Sequence, residues 1–114
     1  MARKAKVVRK TTETDIVLDI DLDKPEGGKI DTSIPFLNHM LDLFALHGRF
    51  KLGIKSKGDT EIDDHHLVED LGICLGQAVG QALGSKTGIN RYGSISLPMD
   101  ECLCHVHIDI SGRP

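Results

Sequence analysis

The sequence predicts an α+β layered fold, a mainly antiparallel sheet with its helices packed on one face. Three observations predict it. Apolar residues alternate with polar ones from Thr14 to Asp23 and again from Phe50 to Lys57, the period of a half-buried strand. Two longer stretches, one after Pro35 and one after Asp64, instead repeat their apolar residues at helical spacing. The coarse order reads β-β-α-β-β-α-β-β. With 114 residues, 39% hydrophobic and 27% charged, the chain is one ordinary domain at most and too apolar for a disordered tail. Aromatics make up only 4% and Trp is absent, so the core must be aliphatic.

In the first strand, Ile16, Leu18, Ile20 and Leu22 share one face, and Asp15, Val17, Asp19 and Asp21 the other. Lys24 to Gly28 is turn chemistry, leading to a short strand around Lys29 to Thr32. Ser33-Ile34-Pro35 then opens a helix with proline near its first position. Its stripe is Phe36, Leu37, Met40, Leu41, Phe44 and Ala45, and Gly48 is its expected stop. After the Phe50–Lys57 strand, a turn at Gly58-Asp59 leads to an extended piece, Thr60 to Asp63. Asp63-Asp64 caps a second helix running to about Leu83, with Leu67, Leu71, Leu75, Ala78, Val79, Ala82 and Leu83 inward. Gly72, Gly76 and Gly80 recur every fourth residue, which leads us to expect close packing against them. Arg91 to Ile110 reads as two strands with a turn near Pro98, and Cys102 and Cys104 read as small core residues of the last. A sheet edge that ends at Pro114 with no closing helix suggests a truncated unit.

Seventeen acids against fourteen bases give a formal charge of −3, which argues against a nucleic-acid module. No apolar run is long enough to span a membrane. MARKAKVVRK carries charge with no apolar segment behind it, so it is not a secretory signal. An odd count of three cysteines in such a chain fits a reducing cytoplasm.

The chemistry concentrates in Asp63-Asp64-His65-His66-Leu67-Val68-Glu69-Asp70. On a helix Glu69 lies one turn from His65 and three residues from His66, while adjacent His65 and His66 diverge by roughly 100°. An HHxxE motif at a helix start therefore suits two metals better than one, and its imidazole and carboxylate donors suit Mn, Fe, Zn or Ni. A solvated first turn would carry the same acids for the helix dipole alone. His39 and His47, two turns apart, project from one side of the first helix. His39 interrupts an apolar pattern, whereas His47 at the C-terminus is favoured there by the dipole in any case. Cys102, Cys104, His105 and His107 cannot converge on one zinc, because the cysteines face one side of a strand and the histidines the other. Arg91 and Arg113, beside glycines, suit either a phosphate or a surface salt bridge.

Together these segments resemble the imidazoleglycerol-phosphate dehydratases of histidine biosynthesis. The matching pieces are Arg9–Ile16 (RKTTETDI), Phe36–Gly48 (FLNHMLDLFALHG), Gly58–Val79 (GDTEIDDHHLVEDLGICLGQAV), Arg91–Glu101 (RYGSISLPMDE) and Ile108–Pro114 (IDISGRP). The resemblance implies one half of a tandem-repeat fold, with residues 1–90 as the first repeat and 91–114 as the opening strands of a truncated second. It implies a hydro-lyase that converts D-erythro-imidazoleglycerol phosphate into imidazole-acetol phosphate through a dimanganese-stabilised imidazolate. His39 and His66 would serve one Mn²⁺, and His65 and Glu69 the other. Glu13 and Glu69 would be the catalytic carboxylates, with Glu13 as candidate proton acceptor. Glu13, His39, His47, His65, His66, Glu69, Arg91 and Arg113 would meet substrate, the two arginines at its phosphate. The family also implies large homo-oligomers, commonly of twenty-four chains, and no nucleic-acid or membrane partner. The family's second isolated histidine and second HHxxE helix have no counterpart here, so the alternative is a metal-binding or structural fragment without activity of its own.

Overall fold

The architecture grows outward from one strand. The computed structural model describes residues 2–114, and its most buried segment is β2 (Thr14–Asp21), where Ile16, Leu18 and Ile20 are at most 2% exposed. β4 (Lys51–Gly58) lies antiparallel to it with Leu18 opposite Ile54 and Ile20 opposite Leu52, so the apolar residues of both strands share one face. The short β3 (Ile30–Asp31) adds to β4 in parallel. On the other side of β2 runs β1 (Lys4–Lys10), which completes a sheet of order β1-β2-β4-β3. The sequence reading passed over β1 because four of its seven residues are cationic. Its Ala5 and Val7 nonetheless alternate inward, and the lysine-rich outer side suits an edge strand. In the turn before β3, Gly28 (φ 97°) passes so close to the Leu52 carbonyl that any Cβ would collide with it.

Both helices cover the same apolar face. α1 (Pro35–Gly48) contributes Leu37, Leu41 and Ala45, while α2 (His65–Leu83) contributes Leu67, Leu71, Cys74, Ala78 and Ala82 to one cluster with Ile16, Leu18, Ile20, Leu52 and Ile54. The expected α+β layering is what forms. Cys74 belongs to the stripe that the sequence reading drew without it, since 67, 71, 74, 78 and 82 advance by helical steps. Each fully buried Leu or Ile contributes roughly 1.5–3 kcal/mol relative to exposure. α1 packs more lightly: none of its residues is buried, and Phe36, Met40 and Phe44 of the predicted stripe are 73%, 45% and 47% exposed.

Five expectations change. Thr60–Asp63 is a turn rather than a strand, because β4 stops at Gly58 and α2 starts at His65. α1 includes Gly48, and the left-handed cap falls one residue later, on Arg49 (φ 57°). Gly72, Gly76 and Gly80 meet no neighbouring atom within 4 Å of a built Cβ. Gly72 follows Leu71, a rotation of about 100° away from the sheet, so the glycines line the open side of α2. β5 (Tyr92–Met99) and β6 (Cys102–Asp109) form a separate antiparallel ribbon with its turn at Asp100-Glu101, and Pro98 pairs across to Leu103 within it. Among the described residues this ribbon contacts no other strand or helix, so both its faces are exposed. Cys102 and Cys104 are accordingly exposed and are not core residues.

A polar clamp ties α2 to the sheet. The Thr14 hydroxyl donates to Asp70 Oδ2 at 2.6 Å, and Arg9 Nη2 lies 3.2 Å from Asp70 Oδ1. These contacts, the Thr14 hydrogen bond first, hold the Asp70 carboxyl below the usual carboxylate range. A depressed native pKa stabilises the fold above the unfolded value near 3.8, and that contribution is lost as pH falls through the native value. Asp70→Asn should lower unfolding free energy by about 1–3 kcal/mol at neutral pH. Urea denaturation of both proteins at neutral and strongly acidic pH checks this: the gap between them should close in acid.

Candidate metal centre

The start of α2 is set by Asp63, whose Oδ1 accepts the His65 backbone N–H at 2.7 Å; the adjacent Asp64 makes no side-chain cap bond. Helical geometry then separates the paired histidines, whose rings stand edge to face with centroids 5.7 Å apart. His65 Nε2 lies 3.2 Å from Glu69 Oε2, one turn along, as the HHxxE spacing predicts. His66 turns toward the sheet, where its Nδ1 is 2.7 Å from Asp59 Oδ2 and 3.5 Å from Glu13 Oε2.

Three elements therefore converge on His66. Glu13 sits in the β1–β2 turn, which Thr11 closes by accepting the backbone N–H groups of Glu13 and Thr14 at 3.1 and 3.0 Å. Asp59 directly follows β4, and its N–H donates to the Glu13 carbonyl at 3.1 Å, fastening the two segments together. Glu13, Asp59 and His66 each bring one potential ligand atom within 4.8 Å of the others. Asp59 Oδ1 is buried without a hydrogen-bond partner. An imidazole among carboxylates, one with an unsatisfied oxygen, fits a divalent cation such as Mn, Fe or Zn. The Asp59 hydrogen bond, then the charges of Asp59 and Glu13, raise the His66 pKa above the usual imidazole value.

Other predicted residues stand elsewhere. His39 and His47 are exposed on α1, and no Cα of α1 comes within 8 Å of α2. Arg91 is engaged by Asp109, Nε to Oδ1 at 2.7 Å and Nη2 to Oδ2 at 3.2 Å, with its guanidinium 5.1 Å over the Tyr92 ring. Arg113 is exposed, and its backbone N–H donates to Ser111 Oγ. His105 and His107 pair with Ser96 and Ser94 across the ribbon. A depression of about 590 Å³ lies on the polar sheet face by Asp19 and Lys55, away from the imidazoles. Sequence reasoning missed Asp59, Thr14 and Asp70 as parts of this site. Asp59 follows a glycine at the end of a strand and reads as an ordinary turn residue; only the fold sets it against His66.

Residues 32–114 match the family model described as imidazoleglycerol-phosphate dehydratase. This chain belongs to the imidazoleglycerol-phosphate dehydratase family. It is 61% identical to the imidazoleglycerol-phosphate dehydratase of Syntrophus aciditrophicus over 98% of its own length and 57% of that protein's. With the Bacillus subtilis enzyme of the same name it shares 59% identity over 98% of the chain and 58% of the relative. The crystal structure of the Staphylococcus aureus dehydratase superposes with a TM-score of 0.83 at 39% identity, covering 97% of this chain and 60% of that one. That of the Pyrococcus furiosus protein, in complex with (S)-C348, gives 0.75 at 37% identity, covering 95% and 56%. The chain thus spans somewhat more than half the length of these family members.

In metal-free protein, His66 should titrate above about 6.5. A raised native pKa means that the stability His66 contributes is present in full below that unfolded value and is lost as pH rises through the native one. Asp59→Ala should lower the midpoint more than Glu13→Gln, because Asp59 is the nearer acceptor. Proton NMR titration of the imidazole ranks the two; equal midpoints in all three proteins would contradict this electrostatic assignment.

Proposed function

We propose that this chain carries the first-half metal ligands and substrate contacts of an imidazoleglycerol-phosphate dehydratase. In this reading it takes part in dehydrating D-erythro-imidazoleglycerol phosphate to imidazole-acetol phosphate. The observation that carries the reading is the convergence of Glu13 and Asp59 on His66, beside the His65–Glu69 pair, in a member of this family. His65 and Glu69 would hold one Mn²⁺, and His66 with His39 the other. Bound Mn²⁺ supplies Lewis-acid stabilisation of the negative charge that the substrate's imidazole takes on. Glu13, exposed in its turn and next to His66, would accept the C2 proton on a carboxylate oxygen. The C3 hydroxyl would then leave as water, taking the proton that Glu13 removed from C2, and the resulting enol tautomerises to the ketone. Arg113 and Arg91 would hold the phosphate and keep the reacting carbon in register, with Arg91 exchanging Asp109 for it. His47 is assigned to substrate contact on the family resemblance.

The separation of α1 from α2 favours a second reading, in which a single copy binds metal without completing the site. His39 would then meet the other ligands only where a second copy or a further half supplies them. The first reading puts the protein in the cytoplasm, assembled as a large homo-oligomer around a small-molecule substrate. Among the described residues no helix is long and apolar enough to cross a membrane.

Incubation with Mn²⁺ and imidazoleglycerol phosphate separates the two. Formation of imidazole-acetol phosphate supports a self-complementing dehydratase, and metal uptake without turnover supports the partial site. His66→Ala and Glu69→Ala should each abolish Mn²⁺ binding rather than slow turnover. Full occupancy by elemental analysis in either variant would remove that residue from the ligand set.

A further inference from the structure

We propose that Asp59 is the positioning residue for His66: its carboxylate fixes the proton on Nδ1 and so presents Nε2 as the metal-binding nitrogen. A neutral imidazole has one N–H and one lone pair, and only the nitrogen without the proton can bind a cation. On His66 both nearby anions face the same nitrogen, Asp59 Oδ2 at 2.7 Å and Glu13 Oε2 at 3.5 Å. Carboxylates accept, so Nδ1 donates. The shorter distance is a charge-assisted hydrogen bond and the longer is not, which assigns the anchoring to Asp59 rather than Glu13. Among the described residues Nε2 makes no hydrogen bond, and the His66 side chain is 40% exposed, so a ligand can reach it.

The anchor is itself held. Asp59 donates its N–H to the Glu13 carbonyl at 3.1 Å and accepts the Ile62 N–H at 3.0 Å. Its side chain is only 13% exposed. His65 contrasts with its neighbour: it is Nε2 that faces a carboxylate, Glu69, and among the described residues no group holds its Nδ1. Adjacent histidines are thus prepared differently, one pre-set by the sheet and one paired along its own helix. An imidazole whose far nitrogen is held by a carboxylate is fixed in orientation and made more basic, the arrangement seen behind metal-bound histidines generally. The inference rests on the metal-centre reading only for what Nε2 binds; the tautomer belongs to the metal-free chain.

Nitrogen-15 NMR of the full, metal-free chain, at a pH above the His66 titration, reads the tautomer directly. The wild type should show Nδ1–H. Asp59→Ala should revert toward the Nε2–H form that an unconstrained imidazole prefers, and Asp59→Asn, which keeps an acceptor oxygen, should retain part of the wild-type signature. Zn²⁺ used as probe should shift the Nε2 resonance of the wild type, with affinity about 10–100-fold lower in Asp59→Ala. An Nε2–H tautomer in the wild type overturns the proposal, as does an unchanged tautomer in an Asp59→Ala protein whose backbone spectrum shows it folded. Should Asp59→Ala not fold, the wild-type spectrum and Asp59→Asn decide alone. A wild type that takes up no Zn²⁺ overturns the metal-centre reading, while the tautomer stands or falls on the nitrogen spectrum.

Discussion

The hydrogen bond from Thr14 to Asp70 sets the geometry on which the candidate site depends. The apolar stripe of α2 is smooth and aliphatic, and such a stripe tolerates a slide of one residue, about 1.5 Å and 100° of rotation, better than a polar contact does. Asp70 removes that freedom by accepting from Thr14 on β2 and facing Arg9 on β1. Glu69 precedes Asp70, and Glu13 precedes Thr14. The same contact therefore places two acids from distant parts of the chain around His65 and His66. Stability and site geometry are written into one polar contact at the edge of the core.

Much of the fold was legible because solvent and core impose opposite periodicities on strand and helix. β2, β4 and both helices declare themselves through Ile16-Leu18-Ile20, Leu52-Ile54 and the Leu67-Leu71 steps. β1 was not legible, since an edge strand needs only Ala5 and Val7 inward and can spend the rest of its length on lysine and arginine. Nor was the status of the glycines. A repeat of four marks one side of a helix but does not say whether that side is covered, and Gly72, Gly76 and Gly80 lie on the bare one.

The site divides the same way. His65, His66 and Glu69 are visible as a motif because their chemistry depends on spacing along one helix. Asp59 depends on where β4 ends in space, seven residues before His66, and no periodicity encodes that. Arg91 suited either a phosphate or a salt bridge on the sequence alone; in the folded chain its fork closes on Asp109. Residues whose role is local can be read from a string of letters, and residues whose role is to support another across the fold cannot.

The β5–β6 ribbon has a thermodynamic consequence. It is tied to the remainder chiefly through its flanking segments, and its sixteen strand residues are all exposed. Two strands alone are marginal in water, so opening the ribbon removes little apolar contact from the core. The chain then has two cooperative units rather than one. Amide protons of β2 and β4 should exchange only with global unfolding, and those of the ribbon through a cheap local opening. That opening frees Arg91 from Asp109 while the imidazoles and their carboxylates stay in place.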